Sequence, residues 1–473
     1  MTGDPPLGAL GVGVLGFFEG AQHELLLFAA VWFALGALDE FLVDGLWLML
    51  AVTGRGRSRR LPAGVLGAPL AGVEAVLVPA WQEASVVGAM ISHALRAWPQ
   101  AGLRLYVGCY RNDAATLRAV MAVPSDPRLR VVYHDADGPT TKADCLNRLY
   151  AALCADEARG GFRARGIVLH DAEDMVHPAA LPLLDAALGE ADFVQLPVRP
   201  EPQPRSRWIA GHYSDEFAEA HAKALVVRDW LGTPIPAAGV GCAFSRRAID
   251  LLAARRGRGG KAGAGPFAVE SLTEDYECGI LIGELGQRAR FLRLRDDEGR
   301  LVATRAYFPT ALGAAVRQKT RWLHGIAFQG WDRLGWSVRP ADLWMRLRDR
   351  RGPMLALVFS AAYLILLITP FVWLAELRGL IRPRPMGALL VALLWFNLAS
   401  LVLRLAFRFA FTTREYGWRE GLLALVRIQV SNIIAIMSGR RAVWAYVRSL
   451  RGARTIWDKT LHAEHPSLVG QPG

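Results

Sequence analysis

Carboxylates stand just past four separate β-rich runs of this chain. Glu83 follows 73–79, Asp113 follows 103–109, Asp135 and Asp137 follow 129–133, and Asp171, Glu173 and Asp174 follow 166–170. In an open α/β sheet ligands collect at the carboxyl ends of the strands, so these residues are predicted to share one rim. Like charges gathered there repel one another unless a cation or a basic ligand group is shared among them. Hard oxygen donors suit Mg2+ or Mn2+, and Mg2+ usually keeps waters and takes phosphate partners as well. The chemistry expected is metal-assisted handling of a diphosphate. A further pair, Glu274-Asp275, has two readings: an acidic helix start favoured by the macrodipole, or a general base.

The elements that must position these groups are visible in the spacing. The runs 73–79, 103–109, 129–133, 166–170 and 191–197 alternate with helical patterns, which implies a mostly parallel sheet with helices on its faces. Four of the ten histidines, His134, His170, His177 and His212, fall in or near this region without zinc-ligand spacing and read as hydrogen-bonded scaffold. Five cysteines are scattered without a C-x-x-C pair, which argues against a zinc ribbon or a disulfide framework. The basic, glycine-rich stretch 255–265 has no apolar periodicity and is expected to be a loop.

Around this polar middle the chain is apolar. It holds 473 residues, 52% hydrophobic, with a net charge of +12, a combination that excludes disorder and argues for a membrane partner. The stretch 25–52, followed at once by Arg55, Arg57, Arg59 and Arg60, is expected to be a retained anchor with its arginine side in the cytoplasm. Further spans are expected at 353–375 and 386–403, whereas 421–437, interrupted by Arg427, Gln429, Ser431 and Asn432, reads equally as spanning or interfacial. Asp39, Glu40 and Asp44 inside the first run have two readings, a salt link to later helices or the lining of a polar route. Many arginines flank apolar helices, so anionic lipid is the expected partner of the positive charge and no nucleic acid is expected.

Several motifs in order resemble the family 2 glycosyltransferases, whose catalytic domain is the GT-A fold. Asp171-Ala172-Glu173 falls in that family's D-x-D slot, Thr273-Glu274-Asp275 resembles its E-D motif, and Gln318-Lys319-Thr320-Arg321-Trp322 matches Q-x-x-R-W of the membrane-embedded members. The resemblance implies a UDP-sugar donor site at Glu83, Asp113, Lys142, Asn147, Asp171, Gln318, Arg321 and Trp322. It implies metal ligation of Mg2+ or Mn2+ by Asp171 with Glu173 or Asp174, an acceptor side at Gly241, Glu274 and Trp322, and Asp275 as catalytic base. The phrases Val78-Pro79-Ala80-Trp81-Gln82-Glu83, Arg305-Ala306-Tyr307-Phe308-Pro309 and Trp457-Asp458-Lys459-Thr460 further resemble the bacteriophage-adsorption protein B group.

That likeness implies an inverting glycosyltransferase of the bacterial inner membrane, multi-pass with a cytoplasmic catalytic domain. It would use a UDP-sugar, an N-acetylhexosamine among the candidates, to build a surface glycan exported with an outer-membrane partner. The expected organisation is an anchor at 1–68, a GT-A domain at 69–310, interfacial helices at 311–352, membrane helices at 353–440 and a tail at 441–473. Two other readings stand beside it. One is a single-transfer enzyme acting on a lipid phosphate; the other is a catalytically silent membrane receptor or scaffold subunit.

Overall fold

Seven strands form the central sheet of the computed structural model, which describes residues 9–56, 58–258, 265–452 and 465–468. They are β1 (Val73–Pro79), β2 (Leu103–Tyr110), β3 (Leu129–His134), β4 (Ala164–Leu169), β5 (Phe193–Gln195), β6 (Cys242–Ser245) and β7 (Ala289–Phe291). The order is β3-β2-β1-β4-β6-β5-β7, parallel except for β6, which runs antiparallel to both neighbours. β1 is buried along its five central residues, as its apolar run requires of a strand covered on both faces. The helix Val87–Ala97 covers one face through Val87, Met90, Ile91, Ala94 and Leu95, the spacing of a single apolar stripe. On the other face lies Lys142–Gly160, started by Thr141, whose hydroxyl accepts from the Asp144 N–H at 3.1 Å, and ended by Gly161 at φ +61°.

Two expectations within this region change. The run 191–197 is not one strand: it yields β5, and after Pro197 the chain leaves the sheet so that Val198–Pro200 pairs with Thr304–Ala306. Arg255, Arg256 and Arg258 are not loop residues but the last turn of the helix Arg246–Arg258; 259–264 lie outside the described residues, as does Trp457-Asp458-Lys459-Thr460.

Four helices are long and apolar enough to cross a membrane, with candidate spans Gly13–Val52, Gly352–Leu377, Ala388–Tyr416 and Trp418–Leu450. We label the full helices α1 (Ala9–Val52), α2 (Gly352–Leu377), α3 (Ala388–Tyr416) and α4 (Trp418–Leu450). α1 has 44 residues, about 66 Å at 1.5 Å each, roughly twice a hydrocarbon core. α3 continues well past the expected end at 403 because its arginines have partners: Arg404 pairs with Glu40 at 3.2 Å and with Asp44, and Arg408 lies 4.0 Å from Asp215. α4 also absorbs its charge, since Arg427, 1% exposed, donates to both oxygens of Asp215 at 2.9 and 2.6 Å. The helix Ile209–Glu219 thus joins sheet and membrane helices through Asp215, while its Glu216 accepts from Lys319 and from Ser431.

Of the two readings of the acids in α1, the structure displays the salt link. Asp39 pairs with Arg348 and Arg351, Glu40 with Arg348 at 2.8 Å, and Asp44 with Lys223 at 2.9 Å.

Candidate active site

A cavity of about 770 Å³ opens between the carboxyl ends of β1 and β4 and the helix Leu312–Leu323. Lys142, in the first turn of its helix, places its Nζ 2.5 Å from Asp171 Oδ1. Burial pulls its pKa down, yet Asp171, Glu274 and Asp275 together raise it above the ordinary lysine value. Glu274 and Asp275 open the helix Glu274–Glu284, and Asp275 Oδ1 accepts from the Tyr276 N–H at 2.7 Å. Burial lifts Asp275 above the usual carboxylate range while the Lys142 ammonium opposes that rise. Glu274 is pushed up to about 7 by burial and by Asp275 beside it. The pair opens that helix and also forms part of the cavity wall.

The carboxylate repulsion that pointed to a metal is therefore met first by the chain's own Lys142. Asp171, Glu173 and Asp174 all border the cavity. Asp174 is 2% exposed, and its Oδ2 accepts from the Asp171 N–H at 2.9 Å and bonds His170 Nδ1 at 2.8 Å. Through that oxygen it braces the loop that carries Asp171. Among the described residues no group of three or more His, Cys, Asp or Glu side chains is arranged to hold a metal by itself. Asp171 and Glu173 still fit a divalent ion of the Mg2+ type, which takes one or two carboxylates and completes its shell with phosphate oxygens and water.

The opposite wall comes from the Q-x-x-R-W helix. Gln318 Oε1 and Arg321 Nε are buried there without a hydrogen-bond partner among the described residues, and both side chains border the cavity. Such orphaned groups are costly unless a ligand meets them. Trp322 packs edge-on to Tyr213 at 6.1 Å. Beyond this helix, Gly325 lies so close to Thr273 that a Cβ would overlap its side chain, and Gln329 Oε1 accepts from the Leu272 N–H at 2.9 Å. These contacts clamp the segment carrying Asp275 beneath Arg321. Gly325 and Gln329 were not singled out in the sequence, and no local signal marks them.

Other expected residues lie at the margin or underneath. Glu83 borders the cavity, and its backbone N–H donates to Thr116 at 2.8 Å. Asp113 is buried, accepting from the Gln82 N–H at 2.5 Å and from the Thr116 N–H at 3.2 Å, so it supports the Trp81-Gln82-Glu83 turn. Asn147 donates to and accepts from the backbone of Phe267, both at 2.9 Å, and holds that segment. Gly241, at φ +58°, faces Thr304, whereas Gly239, at φ +73°, approaches the cavity acids so closely that a Cβ would overlap the Asp275 carboxylate. Gln195, also missed, ties the same loop by donating to Val240 O at 2.9 Å and accepting from the Ala238 N–H at 2.8 Å.

A family model described as glycosyltransferase like family 2 matches residues 72–325, more than half of the chain. The chain belongs to glycosyltransferase family 2. The transferase has the GT-A fold expected from its motifs, and it is 33% identical over 469 residues to bacteriophage adsorption protein B of Escherichia coli strain K12. The same identity relates it to bacteriophage N4 adsorption protein B of Escherichia coli O157:H7. These matches cover 93% of this chain, which spans 62% of the length of each relative. A mannosyltransferase from Pyrobaculum calidifontis, solved with GDP-Man and Mn2+, aligns with 88% of this chain and 99% of its own at 16% identity and a TM-score of 0.46. Glucosyl-3-phosphoglycerate synthase from Mycobacterium tuberculosis, solved with Mn2+, UDP and phosphoglyceric acid, aligns with 54% of this chain and 78% of its own at 18% identity and a TM-score of 0.33.

Proposed function

We propose that this transferase is an inverting, inner-membrane enzyme that moves a sugar, an N-acetylhexosamine among the candidates, from a UDP donor to a growing glycan destined for the cell surface. The observation that carries the reading is the convergence of Asp171, Asp275 and Lys142 on one cavity beneath Arg321 and Trp322. In this reading Glu83 and the turn supported by Asp113 receive the nucleoside, and Lys142 and Arg321 meet the diphosphate through charge-assisted contacts. Asp171 and Glu173 would hold a divalent ion, which when bound would neutralise charge on the leaving diphosphate. Asp275 takes the proton of the acceptor hydroxyl as its oxygen attacks the anomeric carbon and the bond from that carbon to the diphosphate breaks, the electron pair leaving with UDP. Attack opposite the leaving group inverts the anomeric centre.

The catalytic domain is placed on the cytoplasmic side because Arg55, Arg59 and Arg60 follow α1. In the same reading an outer-membrane partner exports the product. A second reading, single transfer to a lipid phosphate, is favoured by the apolar part of the cavity wall, where Phe217, Leu225, Phe308 and Ile326 stand. The test is transfer from radiolabelled UDP-sugars by protein in lipid with Mg2+ or Mn2+, scored for product size and anomeric configuration. A long glycan supports the first reading and a lipid-linked monosaccharide the second. Asp275→Asn is expected to abolish transfer, by 10²-fold or more on the order usual for a lost general base, with the fold intact. Normal turnover by that variant overturns the assignment, and an intact biological phenotype with no transfer by any form points to a silent scaffold.

A further inference from the structure

The stretch 225–236 lends alternate side chains to two cavities. Leu225, Arg228 and Pro236 face the catalytic one, while Val226, Asp229 and Trp230 border a second cavity of about 710 Å³. Six arginines line that second cavity: Arg55 just past α1, Arg59, then Arg288, Arg290 and Arg293 around β7, and Arg339 before the helix Pro340–Arg350. Asp229 is the one acid on its wall among the described residues. Arg290 pairs with Asp229 at 3.1 Å and Arg293 with Glu415 at 2.5 Å. The side chains of Arg55, Arg59, Arg288 and Arg339 are exposed and have no carboxylate partner among the described residues.

Convergence distinguishes this from an ordinary basic surface. Arginines on a convex face spread apart into water, whereas here separate stretches of chain bring theirs to one concavity, where like charges raise each other's energy. Arg293 behind them is buried, and its Nε has no hydrogen-bond partner among the described residues. Burial brings its pKa down to about 10 even with Glu415 opposing, and Arg414 and Arg295 add to the fall. An anion in the cavity would supply the counter-charge that its exposed arginines lack. Guanidinium groups present planar forks that match phosphate oxygens. Leu50, in the last turn of α1, and the half-exposed Trp230 also border the cavity, so it opens where that helix leaves its apolar stretch.

We propose that this arginine-lined cavity, separate from the catalytic one, binds a phosphate-bearing anion through Arg59, Arg288 and Arg339. The phosphate comes from an anionic lipid headgroup of the adjoining leaflet or from a soluble diphosphate, and the two arms of the test tell them apart. Full-length protein in phosphatidylcholine nanodiscs is titrated with inorganic pyrophosphate by calorimetry. In parallel, nanodiscs doped with phosphatidylglycerol are used to measure lipid retention by native mass spectrometry. Wild type is compared with Arg59→Gln/Arg288→Gln and with Arg118→Gln, an exposed arginine on the helix Ala114–Met121.

Wild type and Arg118→Gln are expected to hold one of the two probes, and the double variant to hold it roughly 30-fold more weakly, the loss of two phosphate-facing arginines. The probe retained identifies the source. Arg339→Gln gives a second route to the same loss if the double variant folds poorly. Absence of both probes from the wild type, or equal binding by wild type and the double variant, overturns the proposal. Pyrophosphate binding that vanishes in Arg321→Ala but persists in the double variant belongs to the catalytic cavity and overturns it as well.

Discussion

Around Lys142, three carboxylates lean on one ammonium at the edge of a cavity; around Asp44, three carboxylates are met by three arginines and a lysine between packed helices. The inner cluster is balanced once Glu219, which accepts from Lys223, is counted as its fourth carboxylate. Asp39, Glu40 and Asp44 have Arg348, Arg351, Arg404 and Lys223 within reach, and Asp44 and Lys223 are 3% and 2% exposed. Charges so placed have no water to fall back on, so each requires its partner. In the cavity cluster acids outnumber the nearby lysine, and open space lies alongside. A surplus of carboxylate beside a cavity can attract a cation and can accept a proton. The difference separates a structural use of charge from a chemical one.

The largest expected effect comes from unbalancing the inner cluster. Asp44→Ala removes the nearest anion from Arg404 and one of the two carboxylates to which Lys223 donates, and should cost about 3–5 kcal/mol, read as a fall in the thermal midpoint of the detergent-solubilised protein. Asp44→Leu combined with Lys223→Met should recover part of that loss, since the lysine leaves with its acid while Arg404 and Glu219 face each other at 3.9 Å. If Asp44→Ala leaves the midpoint unchanged, the cluster does not support the fold.

In the cavity the same operation should separate stability from activity. Lys142→Met leaves Asp171, Glu274 and Asp275 without their ammonium, but the neighbouring space admits water and counter-ions. Transfer is expected to fall about 100-fold, in line with the loss of a positioned charge at a developing diphosphate. The thermal midpoint should move far less than for Asp44→Ala. Equal losses of midpoint in both variants would erase the distinction.

A third acid pair sharpens it further. Glu74 on β1 is fully buried beside Asp185, and the one nearby arginine, Arg165, is spent on Asp185 at 2.9 Å. With no second cation and no cavity, burial and Asp185 push the Glu74 carboxyl up to about 9 from an ordinary 4.5. The folded chain keeps a proton that the unfolded chain releases above about pH 4.5, so stability falls as pH rises from there to about 9. The slope is about 1.4 kcal/mol per pH unit for one such group. Glu74→Gln should flatten it, seen as a smaller difference in thermal midpoint between pH 6 and pH 8. An unaltered difference would show that Glu74 is ionised in the fold.

What the sequence revealed and what it hid follow the same line between local and distant causes. β1 was legible to the residue because a run that is apolar apart from Glu74, bounded by Gly72 and a turn, determines its own burial. β6 was not, since four residues after a glycine turn become a strand only by pairing with β4 and β5. The end of α3 was misplaced because hydropathy registers Arg404 and Arg408 as charges but is blind to Glu40, Asp44 and Asp215 across the interface. Asp171 and Asp275 were legible as acids in motifs. That Lys142 stands between them was not, since three distant stretches of chain must first fold together. Gly325 and Gln329 carry no local signature, because their task is to hold another segment.

The smallest effect concerns the helix that delivers Lys142. Thr141 caps it with a 3.1 Å hydrogen bond from the Asp144 N–H, and Thr141 itself borders the cavity. Thr141→Ala should lower stability by about 1 kcal/mol, the usual worth of such a cap. The ion pair of Lys142 with Asp171 spans from that first turn to the loop after β4, so fraying of the turn loosens the ammonium without removing it. Transfer should therefore drop less than in Lys142→Met, and Thr141→Ser, which keeps the hydroxyl, should restore both midpoint and rate. A rate loss in Thr141→Ala as large as that of Lys142→Met, with the midpoint unmoved, would mean that the hydroxyl meets the substrate directly. The cavity cluster would then include a neutral member that charge counting overlooks.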